Sequence, residues 1–304
     1  MILLDSDFTF IVQGITGREA VNLTRECLDY GSRVVGGVTP GRRGREVHGV
    51  PVYDTVQQVT EAVGYVPKGS VVTVPPAFTK DAVFEAIEAG IELIVIVTER
   101  IPRRDVAEMV ELAGMREARI IGPNCLGVIV PQVCKMGGIG GPAKDAAKAY
   151  TPGPIGVMSR SGGMTTEISS TLTAAGLGQS TAVSIGGDAI IGSTYAELMP
   201  LFEDDPDTRA IVIYTEPGGR MEAQLAEWVA ESESRLPIVA FMAGRFMDSE
   251  EMKGMSFGHA GTIVEGKDDT ATEKIARMEA AGIPVVERID EIPDAVKDKL
   301  GVAA

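Results

Sequence analysis

The amino-acid sequence predicts two consecutive α/β domains, each with a mostly parallel, doubly wound sheet. Short apolar runs rich in β-branched residues alternate with amphipathic stretches along almost the whole chain, which is the pattern of strands and covering helices in such sheets. Glycine, proline and small polar residues follow many of the apolar runs, as expected where a strand turns into a helix. The length of 304 residues suits two domains of ordinary size.

The first domain is predicted to span residues 1–134 and to begin with an apolar strand that leads through a glycine turn into a helix. Its predicted strands cover residues 8–12, 33–38, 70–74, 93–97 and 119–121, and its predicted helices cover 19–30 and 80–89.

Residues 135–153 are rich in Gly, Ala, Pro and Lys and have no clear periodicity, so we expect a linker there. A second α/β run is predicted over 154–304. Its predicted strands cover 154–158, 182–185, 210–214, 237–241 and 284–286, and its predicted helices cover 164–175, 222–231 and 271–281.

Composition excludes several classes of function. The net charge of −15 argues against a nucleic acid or an anionic membrane as partner. No apolar run approaches the roughly 20 residues that cross a bilayer, and the first residues do not have the pattern of a signal peptide. The three cysteines form neither a disulfide framework nor a metal motif. We therefore predict a cytoplasmic protein without a metal site of its own.

Two features of the first domain indicate a site for a phosphorylated nucleotide. Gly14 and Gly17 separate the first strand from the first helix, where backbone N–H groups can point at a phosphate, although a tight turn would explain them about equally well. An NAD site usually has an acidic residue at the end of the second strand, but this chain has Arg42, Arg43 and Arg45. They favour a ribose that carries a phosphate, as in NADP or coenzyme A, unless they form only a solvated basic loop.

A second anion site is predicted where the strand near residue 158 leads into a helix. Ser159, Ser161 and the N–H groups around Gly162 and Gly163 would form a nest at the helix N-terminus. The P-loop motif of nucleotide-binding proteins is absent from the sequence. The anion could therefore be a phosphoryl group carried on a side chain.

His259 is the candidate carrier of that group. It is one of two histidines in the chain and lies in Gly258-His259-Ala260-Gly261, where the flanking glycines leave the imidazole accessible and able to move. An accessible imidazole is a good nucleophile near neutral pH and can carry a group covalently, whereas the alternative is a polar turn residue. Glu216, at the end of a predicted strand, could orient the other ring nitrogen or could simply lie beside a helix N-cap.

These blocks, taken in order, resemble the α subunit of succinyl-CoA synthetase and its acid–CoA ligase relatives, nearly from end to end. The matching blocks are Gln13-Gly14-Ile15-Thr16-Gly17, Gly36-Gly37-Val38-Thr39-Pro40-Gly41, Ile121-Gly122-Pro123-Asn124-Cys125, Ser159-Arg160-Ser161-Gly162, Ile185-Gly186-Gly187-Asp188 and Gly258-His259-Ala260-Gly261. The resemblance implies an N-terminal Rossmann-like CoA-binding domain and a C-terminal flavodoxin-like domain. It also implies a partner β subunit whose ATP-grasp site binds ATP or GTP with Mg²⁺.

The resemblance assigns roles to individual residues as well. His259 would be phosphorylated by the nucleotide and would pass the phosphoryl group to a carboxylic acid, and Glu216 would orient its ring. The CoA thiol would then displace phosphate from the acyl phosphate. The CoA phosphates and arm would contact Thr16, Gly17, Arg18, Glu19, Arg42, Val97, Thr98 and Glu99. The phosphoryl group or the acid would contact Asn124, Ser159, Ser161, Gly162, Gly163 and Thr166.

Departures from the family pattern leave the acid open. Thr166 stands where succinate-specific members have a tyrosine, and Arg42 and Arg100 replace a usual lysine and a usual glycine. Ser161-Gly162-Gly163-Met164 and Phe257-Gly258-His259 look more like ATP-citrate lyase and citryl-CoA synthetase, but no citrate-synthase-like domain follows. The segment 242–255 is longer and more acidic than the family's. We expect succinate as substrate, with citrate or another polycarboxylate as the alternative, and a non-catalytic CoA-binding regulatory module as a further one.

Overall fold

The computed structural model describes residues 1–249, 259–264, 266 and 269–301 of the chain. In this described part the strands form two sheets of seven strands each, the first built from residues 9–121 and the second from residues 127–286. Both sheets are parallel for the most part and have helices between their strands, as the sequence predicts.

The first sheet has the strand order β3-β4-β2-β1-β5-β6-β7, and its only antiparallel pair among the described residues joins β3 to β4. Its strands are β1 (Thr9–Gln13), β2 (Arg33–Val38), β3 (Glu46–Val47), β4 (Val50–Tyr53), β5 (Gly69–Val72), β6 (Leu93–Ile96) and β7 (Arg119–Ile121). The helices between them are α1 (Arg18–Asp29), α2 (Val56–Val63), α3 (Pro76–Glu88) and α4 (Arg103–Met115).

The second sheet has the order β14-β13-β12-β10-β11-β8-β9. Its strands are β8 (Gly127–Val130), β9 (Cys134–Met136), β10 (Pro152–Ser159), β11 (Gln179–Ser184), β12 (Ala210–Thr215), β13 (Ile238–Met242) and β14 (Val285–Val286). Its helices are α5 (Ala143–Ala149), α6 (Gly162–Ala174), α7 (Tyr195–Asp204), α8 (Met221–Glu231), α9 (Ala271–Ala280) and α10 (Ile292–Leu300).

The change from one sheet to the other does not coincide with the domain boundary expected at residue 134. β8 and β9 form an antiparallel hairpin, and β8 pairs antiparallel with β11, so both strands belong to the second sheet. Residues 135–153, expected to be a linker, contain the end of β9 and all of α5. The reason is that Val128 and Ile129 are fully buried only when they cover the open edge of β11, a pairing between segments more than fifty residues apart.

Burial on both faces explains why the central strands are continuous apolar runs. All residues of β1 and β12 are buried, because helices cover both faces of each sheet. The helices pack through one face, as in α1, where Ala20, Leu23 and Cys27 are buried at helical spacing. No helix in the described ranges is both long and apolar enough to cross a membrane.

The carboxyl ends of the parallel strands position the candidate sites. β1, β2 and β5 are neighbours in the first sheet, and the loops that follow them meet at one edge. In the second sheet β10 lies between β11 and β12, and the loops after these strands carry Arg160, Gly187 and Glu216. Open α/β sheets gather ligand-binding groups at such edges.

Candidate functional site

A cavity of about 800 Å³ lies at the carboxyl edge of the first sheet. It is lined by Gln13, Gly14, Thr16, Gly17, Val38, Thr39, Pro40, Thr73, Val74, Pro75, Phe78, Asp81, Ala82 and Glu85. The cavity is large enough for a nucleotide-sized ligand, and its wall is formed by the ends of β1, β2 and β5, the loops that follow them and one face of α3.

The glycine turn after β1 brings backbone N–H groups to this cavity. Gly14 has φ +86°, and a methyl group there would lie 2.9 Å from Oγ1 of Thr73 and 3.1 Å from the backbone N of Val74. Gly17 caps α1 without a side-chain hydrogen bond. The first-turn N–H groups of a helix have no acceptor within the helix, so the end of α1 can bind an anion.

Only some of the residues expected to contact CoA line this cavity. Thr16 and Gly17 line the cavity. Arg18 and Glu19 are exposed on the first turn of α1 and pair with each other at 3.3 Å. Arg42 is exposed and is not part of the cavity wall.

The other expected CoA contacts follow β6. The cavity wall does not include Val97, Thr98 or Glu99. Thr98 is nevertheless next to it, since its hydroxyl donates at 2.7 Å to the carbonyl of Val74, a wall residue. Phe78, 63% exposed, is a wall residue that the sequence reasoning missed.

At the second sheet, His259 and Glu216 are in direct contact. Nδ1 of His259 lies 2.9 Å from Oε1 and 2.8 Å from Oε2 of Glu216. A carboxylate only accepts hydrogen bonds, so the hydrogen of the neutral imidazole is on Nδ1 and the lone pair is on Nε2. The His259 side chain is 24% exposed, whereas that of Glu216 is 9% exposed. The pair therefore combines a buried orienting carboxylate with a partly accessible ring.

Several groups keep Glu216 ionised. Burial acts to raise the pKa of its carboxyl, but the hydrogen bond and charge of His259, the charge of Arg160 and the hydroxyl of Tyr214 together hold that pKa below its ordinary value. The Tyr214 hydroxyl donates to Oε1 at 3.0 Å. No role was predicted from the sequence for Tyr214 or Arg160, because nothing in the sequence around them indicates that their polar groups are buried beside Glu216.

Glycines allow the backbone to approach the His259 ring closely. A methyl group on Gly187 would lie 2.5 Å from Cδ2 and 2.6 Å from Cγ of the ring, and one on Gly261 would overlap the guanidinium of Arg160. The backbone N–H of Gly261 donates to the carbonyl of Gly187 at 3.1 Å. These contacts fix the segment that carries His259 against the loop after β11.

The predicted nest after β10 forms the N-terminus of α6. Ser161 is the N-cap and accepts from the N–H of Met164 at 3.4 Å. The Ser159 hydroxyl is fully buried and is used within the loop, since it donates to the carbonyl of Ser161 at 2.7 Å. Gly162 and Gly163 come first in the helix, where N–H groups have no intrahelical acceptor. The nest thus offers backbone donors, and Ser159 shapes the loop.

Thr166 and Asn124 have well-defined partners. The Thr166 hydroxyl lies 2.8 Å from the hydroxyl of the buried Tyr150. Asn124 Nδ2 donates to Oδ1 of Asp188 at 3.0 Å, and the Asn124 backbone N–H donates to the carbonyl of Thr98 at 3.0 Å. Asn124 therefore connects the end of β6 to the loop that contacts His259.

Part of the segment around His259 lies outside the described residues: Ser256, Phe257 and Gly258, and residues 250–255 of the acidic segment. Among the residues that are described, no group of three or more His, Cys, Asp or Glu is arranged to hold a metal ion.

Two family models match the chain. The CoA binding domain matches residues 5–100, and the succinyl-CoA ligase like flavodoxin domain matches residues 152–297. The first model therefore covers the domain that contains the 800 Å³ cavity, and the second covers the domain that contains the His259–Glu216 pair.

Full-length relatives agree with these matches. The chain is 42% identical, over 99% of its length and 98% of the relative, to the succinate–CoA ligase [ADP-forming] subunit alpha of Methanothermobacter thermautotrophicus. It is 38% identical, over 99% of its length and 98% of the relative, to an ADP-forming sulfoacetate-CoA ligase subunit of an Acholeplasma species.

Among solved structures, the chain is similar to the ATP citrate lyase of Methanothrix soehngenii in complex with citrate and coenzyme A, with a TM-score of 0.89 and 22% identity. All of this chain but only 52% of the lyase chain is covered, so the chain spans about half of that protein. At this identity the likeness shows a shared fold.

Proposed function

Because this chain belongs to the family of succinate–CoA ligase α subunits, we propose that it makes an acyl-CoA from a carboxylic acid through a phosphohistidine at His259. The observation that carries the proposal is the contact of Nδ1 with both oxygens of Glu216, at 2.8 and 2.9 Å. That contact leaves the nucleophilic lone pair on Nε2, the atom that would attack a phosphorus.

The proposed reaction has three steps. Nε2 of His259 attacks the γ-phosphorus of the nucleotide, so an N–P bond forms while the bond to the leaving nucleoside diphosphate breaks. A carboxylate oxygen of the acid then takes the phosphoryl group and frees the imidazole. Finally the CoA thiolate attacks the acyl carbon and expels inorganic phosphate. Throughout, Glu216 keeps the proton on Nδ1 and stabilises the positive charge of the phosphorylated ring.

The binding of the phosphoryl group is proposed to involve the N-terminus of α6. The N–H groups of Gly162 and Gly163 would bind its oxygens, since an oriented helix end stabilises an anion by about 0.3–1 kcal/mol and by up to about 2 kcal/mol when partly buried. This assignment gives the Ser159–Ser161 loop the role of shaping the nest.

CoA is proposed to bind in the cavity of the first domain. The close approach at Gly14 and the uncapped end of α1 fit a pyrophosphate, and the 63% exposed Phe78 offers an aromatic surface for an adenine. Arg42 would contact the ribose phosphate at the rim. The nucleotide and Mg²⁺ are proposed to bind mainly to an ATP-grasp β subunit, which would share a cytoplasmic location with this chain.

Succinate is the first candidate acid, and a bulkier or more polar acid is the second. The second is favoured by Thr166, which contacts Tyr150 where succinate-specific relatives are expected to have a tyrosine ring. The 38% identity to a sulfoacetate-CoA ligase subunit supports the same range of acids.

The test uses the chain co-expressed with its β partner. Incubation with γ-³²P-labelled ATP or GTP should label the α chain, and His259→Asn should abolish that label. Label that persists in His259→Asn would contradict the proposal, and CoA binding without any label would favour the regulatory module. CoA-thioester formation is then measured with succinate, sulfoacetate and citrate to identify the acid.

A further inference from the structure

Lys274, in α9, is a buried cation beneath the turn that carries Glu216. Its side chain is 3% exposed. Nζ donates to the carbonyl of Glu216 at 3.0 Å, to the carbonyl of Gly218, and to Oε2 of Glu222 at 2.6 Å. An ammonium group has three N–H donors, so these acceptors use all of them.

The two backbone contacts distinguish Lys274 from an ordinary buried ion pair. Burial of an ammonium group costs several kcal/mol unless it is paired and hydrogen-bonded. Glu222, 1% exposed, supplies the opposite charge, and the carbonyls of Glu216 and Gly218 supply the remaining acceptors. The same side chain therefore anchors a turn whose Gly218 and Gly219 have φ +82° and +67°.

That turn is also fixed against the segment of His259. The N–H of Gly218 donates to the carbonyl of Asp269 at 2.8 Å. A methyl group on Gly218 would overlap the carbonyl of Gly261 and the backbone of Thr262. Because Glu216 is two residues before Gly218, the position of this turn sets the position of the carboxylate relative to the ring.

We propose that Lys274 is a positioning residue, which holds the Glu216 carboxylate against Nδ1 of His259 by anchoring the carbonyls of Glu216 and Gly218. The inference rests on the proposed phosphohistidine chemistry, in which the tautomer with hydrogen on Nδ1 is the nucleophile. Loss of the anchor would let the turn shift and would allow the ring to adopt the other tautomer.

The test is Lys274→Met in the full chain assembled with its β partner. The rate of His259 phosphorylation at saturating nucleotide should fall roughly tenfold or more, as for other residues that orient a functional imidazole, while the KM for the nucleotide stays unchanged. In chain labelled with ¹⁵N-histidine, the His259 signals should move from the Nδ1–H toward the Nε2–H tautomer. His48, the only other histidine, is the internal reference.

Two control variants separate positioning from stability. Glu222→Gln keeps Lys274 and its backbone contacts, so it should keep most of the rate. Lys135→Met removes an equally buried lysine, 0% exposed, whose Nζ contacts the carbonyl of Gly141 and, at 3.4 Å, Oε2 of Glu26. It should destabilise the fold but preserve both the phosphorylation rate and the His259 tautomer.

The proposal is overturned if Lys274→Met keeps the wild-type rate and tautomer, or if Lys135→Met loses as much rate. Should Lys274→Met not fold, the double variant Lys274→Met/Glu222→Gln, which leaves no unpaired buried charge, takes its place in the same measurements. A wild-type complex that accepts no label would refute the proposed function instead, and the tautomer measurement would still test the positioning.

Discussion

Gly187 lies against the imidazole of His259 so closely that a methyl group at position 187 would be 2.5 Å from Cδ2 of the ring. No real side chain tolerates that distance, so the ring or the loop after β11 must move when any other residue replaces this glycine. The reactive geometry of His259 therefore depends on a residue that has no side chain.

Gly187→Ala should lower the phosphorylation rate of His259 by roughly tenfold or more, because displaced reacting groups lose much of their alignment. Affinity for CoA, which is proposed to bind in the other domain, should not change. The measurements are single-turnover labelling and calorimetric titration with CoA. Gly114→Ala is the control, since a methyl group there meets nothing within 4 Å; equal rates in the two variants would contradict the prediction.

Glu216→Gln should alter the pH dependence of stability in a defined direction. The pKa of Glu216 in the folded chain is below its ordinary value of 4.5, so the ionised carboxylate stabilises the fold above pH 4.5 and this stabilisation is lost as pH falls through the lowered pKa. Urea unfolding of both proteins between pH 3 and pH 7 measures the effect. The stability difference between wild type and variant should shrink toward acid pH, and a constant difference would refute the assignment.

Gly14→Ala should weaken CoA binding by roughly tenfold, since the methyl group would press on Thr73 and Val74 and would require a left-handed backbone that costs an alanine about 1–2 kcal/mol. Gly31→Ala is a matched control, because Gly31 has φ +95° with open space around it. It should lose similar stability and retain CoA affinity. Direct titration with CoA, together with thermal unfolding, distinguishes the two variants.

Arg42→Ala should weaken binding of CoA by roughly fivefold but leave binding of dephospho-CoA unchanged, because an exposed arginine would contact only the ribose phosphate. Exposed Arg116, at the end of α4, provides the control variant Arg116→Ala. If Arg42→Ala weakens both ligands equally, the arginine does not contact the ribose phosphate.

The local hydrophobic pattern of the sequence predicted most of the strands correctly. The missed strand β8 depends on pairing with a distant part of the chain. The strands predicted at 33–38 and 119–121 have the same bounds as β2 and β7, because buried parallel strands are continuous apolar runs. β8 was not predicted, since a four-residue apolar run becomes a strand only by pairing with β11. Several amphipathic helices, including α4 and α10, were also missed, because a short apolar face is easily lost among charged residues.

In the candidate site, too, some residues could be predicted from the sequence and others could not. His259 and Glu216 are conspicuous in the sequence because one lies among glycines and the other ends a strand, and the structure brings them into contact. Lys274 gives no such signal, since a lysine in an amphipathic helix is normally solvated. Its three acceptors come from residues more than fifty positions away, so only the folded chain reveals its burial.

The hairpin of β8 and β9 has a practical consequence for dissecting the chain. A fragment ending at residue 134 would retain β8 but lose the strand that β8 covers, and the complementary fragment would expose the bare edge of β11. Unprotected strand edges recruit other chains, so both halves would tend to aggregate. Cutting between residues 121 and 127 keeps the strands of each sheet together, but Phe8, Phe10 and Met136 belong to one buried apolar cluster that joins the two sheets, so even this cut would expose part of the core.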